Sequence, residues 1–368
     1  MAIWDKIKKQ SSEPEVILES WSPVCDIQAF VERSDTCYYF YLWIHPMSEN
    51  PSIKACWICN RKKAPKSLDV DGMQKGRAPM MTAAYVDHDL NGMELAEDKL
   101  EIVWFAEGDG ASLLCDGELV CVIPGWASME NRFPGYSIYA KGTGEYAWEL
   151  KQAEPVLMDR TMDSKRKWAY FDTDFWPAVQ KEQMEALENF FGEHKKYFAI
   201  DGGKFPPKAL LLGGKEGRFY AISAGVSLIP MPKVEQFVDD ASKYRRIEIG
   251  IAAVEAHAGL CEHMGSVISS LTAFPWRENT FFAHGHTIPF RNISGFEALL
   301  FVNPKELPGV EKPEYKEFDG DEINLLWLVP ITASEYEMAM EQGSEILISK
   351  ARDLQSVHVF DGKAKFLV

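Results

Sequence analysis

Two histidines sit on either side of one glycine in the segment NTFFAHGHTIPF (Asn279 to Phe290), and no other pair of histidines in the chain lies this close. On an extended strand, residues two apart point to the same face, so His284 and His286 would present two imidazoles to one metal ion. A catalytic zinc centre needs a third protein ligand and an open position as well. Asp87, His88 and Asp89 supply suitable side chains, but only in the other half of the chain. The other use of the pair is structural. Gly285 permits a sharp bend, and each ring can hydrogen-bond to backbone as part of that bend. Spacing alone leaves both readings open.

Three further groupings have the residue types for chemistry. Cys56-Trp57-Ile58-Cys59 has the CxxC spacing of half a zinc site or of a redox pair. The other half of a zinc site is missing, and the pair falls inside a strand-like run, where two residues three apart should face opposite sides. Small apolar side chains within a sheet are the simpler reading. His257 and Cys261, four apart on an expected helix, share a face and have the types of a nucleophile and its base. That face also carries Leu260 and Met264, which points to a core stripe. His263, six from His257, does not share its face. LDVDG (Leu68 to Gly72) is an acidic turn without the rest of a calcium loop. The chain has no GxSxG elbow, HExxH helix or GxxxxGK[ST] phosphate loop. No cofactor is expected, and no catalytic set assembles from spacing.

The elements that must position these residues fall into two halves, 1–165 and 166–368. The first reads as β-rich. CDIQAFVERSDTCYYFYLWIHP has two apolar-aromatic runs about the turn RSDT, and SIKACWICN is a third strand. KLEIVWFAEGDGASLLCDGELVCVIPGW reads as a three-stranded meander with a tight turn at Asp116-Gly117. The polar stretch Lys151–Lys167 reads as a turn-rich junction. In the second half, DFWPAVQKEQMEALENFFGEH is a helix with Asp174 as its N-cap, Met184, Leu187 and Phe191 on its apolar face, and Gly192 as its stop. One continuous helix is expected over about 256–271. PKALLLGG, GRFYAISAGVSLIP, YRRIEIGIAAV, FEALLFVNP and INLLWLVPI read as strands. TASE at Thr332 is a capping box opening a last helix that Gly343 ends, with Ser344 starting another. The expected class is α+β: mixed, mainly antiparallel sheets flanked by helices.

Composition narrows the function. The 368 residues include 11 Trp, 13 Tyr and 21 Phe, ample for a real core. The net charge of −16 repels phosphate backbones, so no nucleic acid is expected as a partner, and the one basic cluster, NRKKAPK (Asn60 to Lys66), reads as a solvated loop. A basic protein partner suits that charge better. The start MAIWDKIKKQ lacks the apolar run of a signal peptide, and no stretch reaches membrane-spanning length. Seven scattered cysteines fit reduced thiols. A cytoplasmic protein with no membrane association is expected.

The second half resembles the Suppressor of fused family, specifically its bacterial members. The resemblance is carried by AFPWRENTFFAHGHTIPF (Ala273 to Phe290), AGVSLIPMP (Ala224 to Pro232), YRRIEIGIAA (Tyr244 to Ala253) and INLLWLVPITASEYEMAMEQGSEIL (Ile323 to Leu347), together spanning about 190–365. The first half, through WFAEGDGASLLCDGELVCVIPGW, looks more loosely like the N-terminal extension of long bacterial members. The resemblance implies a non-enzymatic α/β domain that binds other proteins. In animals such proteins restrain Gli-type transcription factors, using an additional C-terminal domain that this chain lacks, so that mode of binding does not carry over. Bacterial members are thought to serve as immunity proteins that neutralise toxins, or as other partner-binding modules; the acidic charge is consistent with a basic toxin as partner, held at an exposed sheet edge or in a groove between the halves. Trp276, Asn279, His284, His286 and Trp327 are the signature residues so identified, with the two histidines bracing a strand end beside Pro275-Trp276. The alternative is a metal-dependent hydrolase using His284 and His286.

Overall fold

The computed structural model describes residues 14–367; MAIWDKIKKQ lies outside them. The chain divides into two compact units, Met1–Asp172 and Thr173–Val368.

The first unit is built from two sheets. Strands β1 (Glu15–Trp21), β2 (Ile27–Arg33), β3 (Cys37–Ile44) and β4 (Ser52–Asn60) form one antiparallel sheet in sequence order. A short helix α1 (Val70–Gln74) follows, and the Asp69 carboxylate of LDVDG accepts the Gly72 amide as its cap, so that acidic turn is a helix start. The second sheet runs β5 (Leu100–Trp104), β6 (Ala111–Cys115), β7 (Glu118–Ile123), β8 (Tyr136–Ser137) and β9 (Trp148–Glu149). Its first three strands are the expected meander. Asp116 and Gly117 turn it with φ of 54° and 84°, which is why Asp-Gly was legible there. Val103, Phe105, Leu114 and Val122 close a core with Leu157.

The stretch Lys151–Lys167 departs from expectation. It is mostly helix α2 (Glu154–Phe171). Pro155 is tolerated in its first turn. Its fully buried stripe is Leu157, Thr161 and Ser164, at helical spacing but mostly polar, so no apolar period betrays the helix. Thr161 and Ser112 hydroxyls bond each other at 2.7 Å, and Thr161 also donates to the Leu157 carbonyl.

The second unit is organised on an eight-stranded sheet. Helix α3 (Trp176–Phe191) precedes β10 (Lys196–Ala199), β11 (Ala209–Lys215), β12 (Arg218–Ala224) and β13 (Arg246–Val254). Short helices α4 (Ala258–His263), α5 (Gly265–Leu271) and α6 (Phe274–Arg277) lead to β14 (Thr287–Pro289), β15 (Ala298–Val302) and β16 (Ile323–Ile331). Helices α7 (Ala333–Gln342) and α8 (Ser344–Ile348) and strand β17 (Val359–Phe360) complete it. The order is β10-β11-β12-β13-β16-β15-β14, with β17 on β13; only the β13–β16 and β13–β17 pairs are parallel. The class is therefore mixed α+β and mainly antiparallel. Leu187 and Phe191 of α3 join Leu211, Tyr220, Trp327 and Val329 of the sheet in one buried cluster.

Three local expectations change. Asp174 does not cap α3, whose N-cap position is Phe175 without a side-chain bond. Its buried stripe runs Val179, Gln183, Leu187 and Phe191, while Gly192 does end the helix at φ 88°. The helix expected over 256–271 breaks at Met264–Gly265 into α4 and α5, glycine being a poor helix former. Its buried stripe is Cys261, Met264, Ile268 and Leu271. The capping box at Thr332 and Glu335 forms in full, and Gly343 ends α7.

Two charges on β13 tie this unit together. Glu248 is fully buried and accepts four hydrogen bonds: Ser223 Oγ at 2.6 Å, Ser227 Oγ at 2.7 Å, and the Gly225 and Ser227 amides at 3.0 Å each. Arg246, equally buried, donates to the Ser227 and Leu228 carbonyls at 2.8 and 2.6 Å and pairs with Asp321 at 2.7 Å. Together they clamp the turn Val226–Leu228 in AGVSLIP. Every partner of the carboxylate is a donor and every partner of the guanidinium an acceptor, which is the condition for keeping charge inside a protein.

Candidate functional site

His284 and His286 do not lie on one strand. His284 and Gly285 form a turn, with Gly285 at φ 82°, and strand β14 begins only at Thr287. The turn is pinned to β15 by the Gly285 amide donating to Phe301 O at 2.8 Å and the Phe301 amide donating to His286 O at 2.9 Å. The bend that glycine allows thus replaces the shared strand face that a metal pair requires.

The two rings have different surroundings. His284 is half-buried, and its Nδ1 accepts the Asn303 amide at 3.1 Å. That bond uses the Nδ1 lone pair, so the proton of the neutral ring sits on Nε2, which faces Glu345 Oε1 at 3.6 Å. Burial lowers the His284 pKa, against the opposing pull of the Glu345 and Glu306 carboxylates. His286 is exposed, and its ring lies 5.3 Å from that of Phe281. Among the described residues, no three His, Cys, Asp or Glu side chains gather to hold a metal ion. The hydrolase alternative therefore has no ligand set there, and the first-half candidates are engaged: Asp87 pairs with Lys151, and His88 uses Nδ1 on Asp89 O and Nε2 on the Asn60 amide.

A half-open cavity of about 300 Å³ lies beside the turn. Its floor is apolar: Val234, Ile247, Phe282 and Leu326. Asn303 and Asn324, joined by an amide–amide bond of 3.1 Å, and His284 supply its neutral polar wall. Tyr244, Phe281, Glu306 and Glu345 also border it. From Phe281 an aromatic row runs outward. Phe237, 67% exposed, stands 5.0 Å from Phe281, which stands next to His286. Met340, 65% exposed on α7, approaches Thr287 Oγ1 with its sulfur at 3.8 Å. Exposed large apolar side chains bordering a concave pocket are what a binding face looks like before it is covered.

The remaining signature residues lie elsewhere in the packing. Trp276 is buried in α6, and its Nε1 donates to Pro230 O at 3.1 Å. Asn279 follows at φ 48°, buried in the turn that leaves α6. Trp327 is fully buried between Tyr220 and His358, with Nε1 donating to Glu311 O at 3.0 Å. Along β16 its neighbour Leu326 borders the cavity, so Trp327 faces the opposite side of the sheet. Sequence reasoning reached His284 and His286 but not Phe237, Phe281, Tyr244, Asn303, Glu306, Asn324 or Glu345. Phe281 lies inside the quoted segment; nothing in a single sequence distinguishes a half-buried phenylalanine at a cavity from a core one.

The other groupings are structural. Where opposite sides were expected for Cys56 and Cys59, a bulge of β4 against β3 inserts one residue and returns Cys59 to the side of Cys56. Both thiols interact with Cys121, and burial pushes the Cys59 and Cys121 thiols well up, which makes them inert. Cys261 is buried, its thiol pushed up to about 12 by desolvation and bonded to Phe219 O, while His257 sits on the Phe360 ring, so they form no nucleophile–base pair.

The second unit is thus a mixed α+β domain with a half-open cavity and an exposed aromatic row, and without an assembled metal or nucleophile set among the described residues. Residues 211–363 match the family model described as Suppressor of fused protein. This part of the chain is similar to the Suppressor of fused family. No curated protein matches the chain. One solved structure with some likeness is titled "the Sufu-Fu complex crystal structure", with a TM-score of 0.34 and 13% sequence identity over 51% of this chain and 92% of that one.

Proposed function

We propose that this chain is a non-enzymatic protein-binding module of the Suppressor of fused family, and that its partner seats on the face formed by Phe237, Phe281, His286 and the cavity at His284. The observation that carries this reading is the aromatic row at the cavity mouth. Phe237 has most of its surface in water and contributes little to the fold, yet it extends a stack that leads into a concave, largely apolar pocket. Anchors of this type supply most of the energy at protein interfaces. The finer reading is inhibition of a basic partner, an immunity function towards a toxin in a bacterial cytoplasm. Its support is the net charge of −16, which speeds encounter with a positive surface.

The test is capture of a protein from the lysate of the source cell by cross-linking, followed by hydrogen exchange on the purified complex. Protection is expected at residues 234–244, 279–290 and 344–348. Protection confined to other segments would refute the assignment of this face. A turnover of small substrates in place of any partner would refute the module itself.

A further inference from the structure

We infer, on the reading of this face as a docking surface, that the cavity at His284 takes a single cationic side chain, lysine or arginine, from the partner. The cavity has an apolar floor long enough to cover an aliphatic stem, in Val234, Ile247 and Leu326, and two carboxylates, Glu306 and Glu345, at its border. No lysine or arginine lines it. Glu306 makes no ion pair among the described residues, and the nearest basic group to Glu345 is the imidazole of His284 at 3.6 Å, whose pKa burial lowers. Both carboxylates border the one opening, and a cation entering there is attracted to each of them. The rings add to this. A cation over an aromatic face is attracted to it, and Tyr244 already holds one: the Lys305 ammonium lies 4.6 Å from its ring centre, anchored by Glu322. Among the described residues no cation lies over Phe281, which stands at the same opening. Lysine and arginine are the side chains that bury a methylene stem while keeping the charge at the mouth. A neutral apolar side chain would fill the floor and leave both carboxylates uncompensated.

The probes are acetylated, amidated tripeptides with glycine on each side of arginine, lysine, norleucine or Nε-acetyl-lysine. Binding to the full chain is followed by NMR of the Phe281 and His284 ring signals. Single side chains bind weakly, so dissociation constants on the order of millimolar are expected. The arginine and lysine peptides should shift both rings saturably, about tenfold more tightly than the neutral pair, and a Glu306→Gln/Glu345→Gln variant should lose that advantage. A preference for arginine assigns the guanidinium, and one for lysine the ammonium. Equal binding of norleucine would overturn the cationic assignment while the docking surface stands. Shifts from none of the four would overturn the assignment as well; the docking surface then answers to the hydrogen-exchange map of the captured complex.

Discussion

Two sets of charged residues in the second unit contrast in how they are satisfied. Arg246 and Glu248 are buried on β13, and their polar atoms meet backbone, hydroxyl or carboxylate partners at 2.6–3.0 Å. Glu306 and Glu345 stand exposed at the cavity, and His284 at 3.6 Å is the closest Glu345 comes to an ion-pair partner. Burial with full satisfaction marks architecture, since an unpaired buried charge would be expelled or neutralised. Exposed carboxylates beside exposed rings leave interactions open for a partner. The same unit therefore separates residues that hold the fold from residues proposed to meet a partner, and substitutions should separate them too.

The largest effect is expected at the clamp. Glu248→Ala leaves the Gly225 and Ser227 amides buried without an acceptor and should cost about 3 kcal/mol or more in urea unfolding followed by Trp fluorescence. A cost near zero would mean that the turn at 226–228 is held by something other than β13. His284→Ala should cost less, about 1–2 kcal/mol, through loss of the Nδ1 acceptor for the amide of buried Asn303. A smaller but diagnostic effect is the pH dependence. Burial lowers the pKa of His284, His88 and His358, so the unfolded chain binds more protons from about pH 6.5 downward. Their stabilising contribution is present above that pH and is lost as pH falls through it towards the folded-state values. His284→Asn should flatten the slope of stability against pH in that window, and an unchanged slope would show that this ring stays equally protonatable in the fold.

Much of the fold was legible because its elements obey simple periods. The β2–β3 hairpin, the meander about Asp116-Gly117, the capping box at Thr332 and the stop at Gly192 each have local causes that survive packing. Helix α2 was not legible, since its buried face carries Thr161 and Ser164, and the Thr161 hydroxyl is satisfied by a tertiary and a backbone bond invisible in sequence. The CxxC faces were misread because one bulge residue reverses the alternation of a strand. Of the candidate site, the glycine between the histidines was readable as a bend. Its other walls come from β13, β16, α8 and the segments before β13 and after β15, and only the folded sheet brings Val234, Asn303 and Asn324 together with His284. The resemblance carried the family, while exposure of Phe237 had no sequence signal at all.

Partner affinity and stability are best compared in a single pair of proteins, wild type and Phe237→Ala/Phe281→Ala. Phe237 is largely solvated and Phe281 half-buried, so the melting temperature should fall by only a few degrees. Affinity for the captured partner, measured by calorimetry, should fall more than tenfold. Unchanged affinity in a folded variant would place the partner on another face of the molecule.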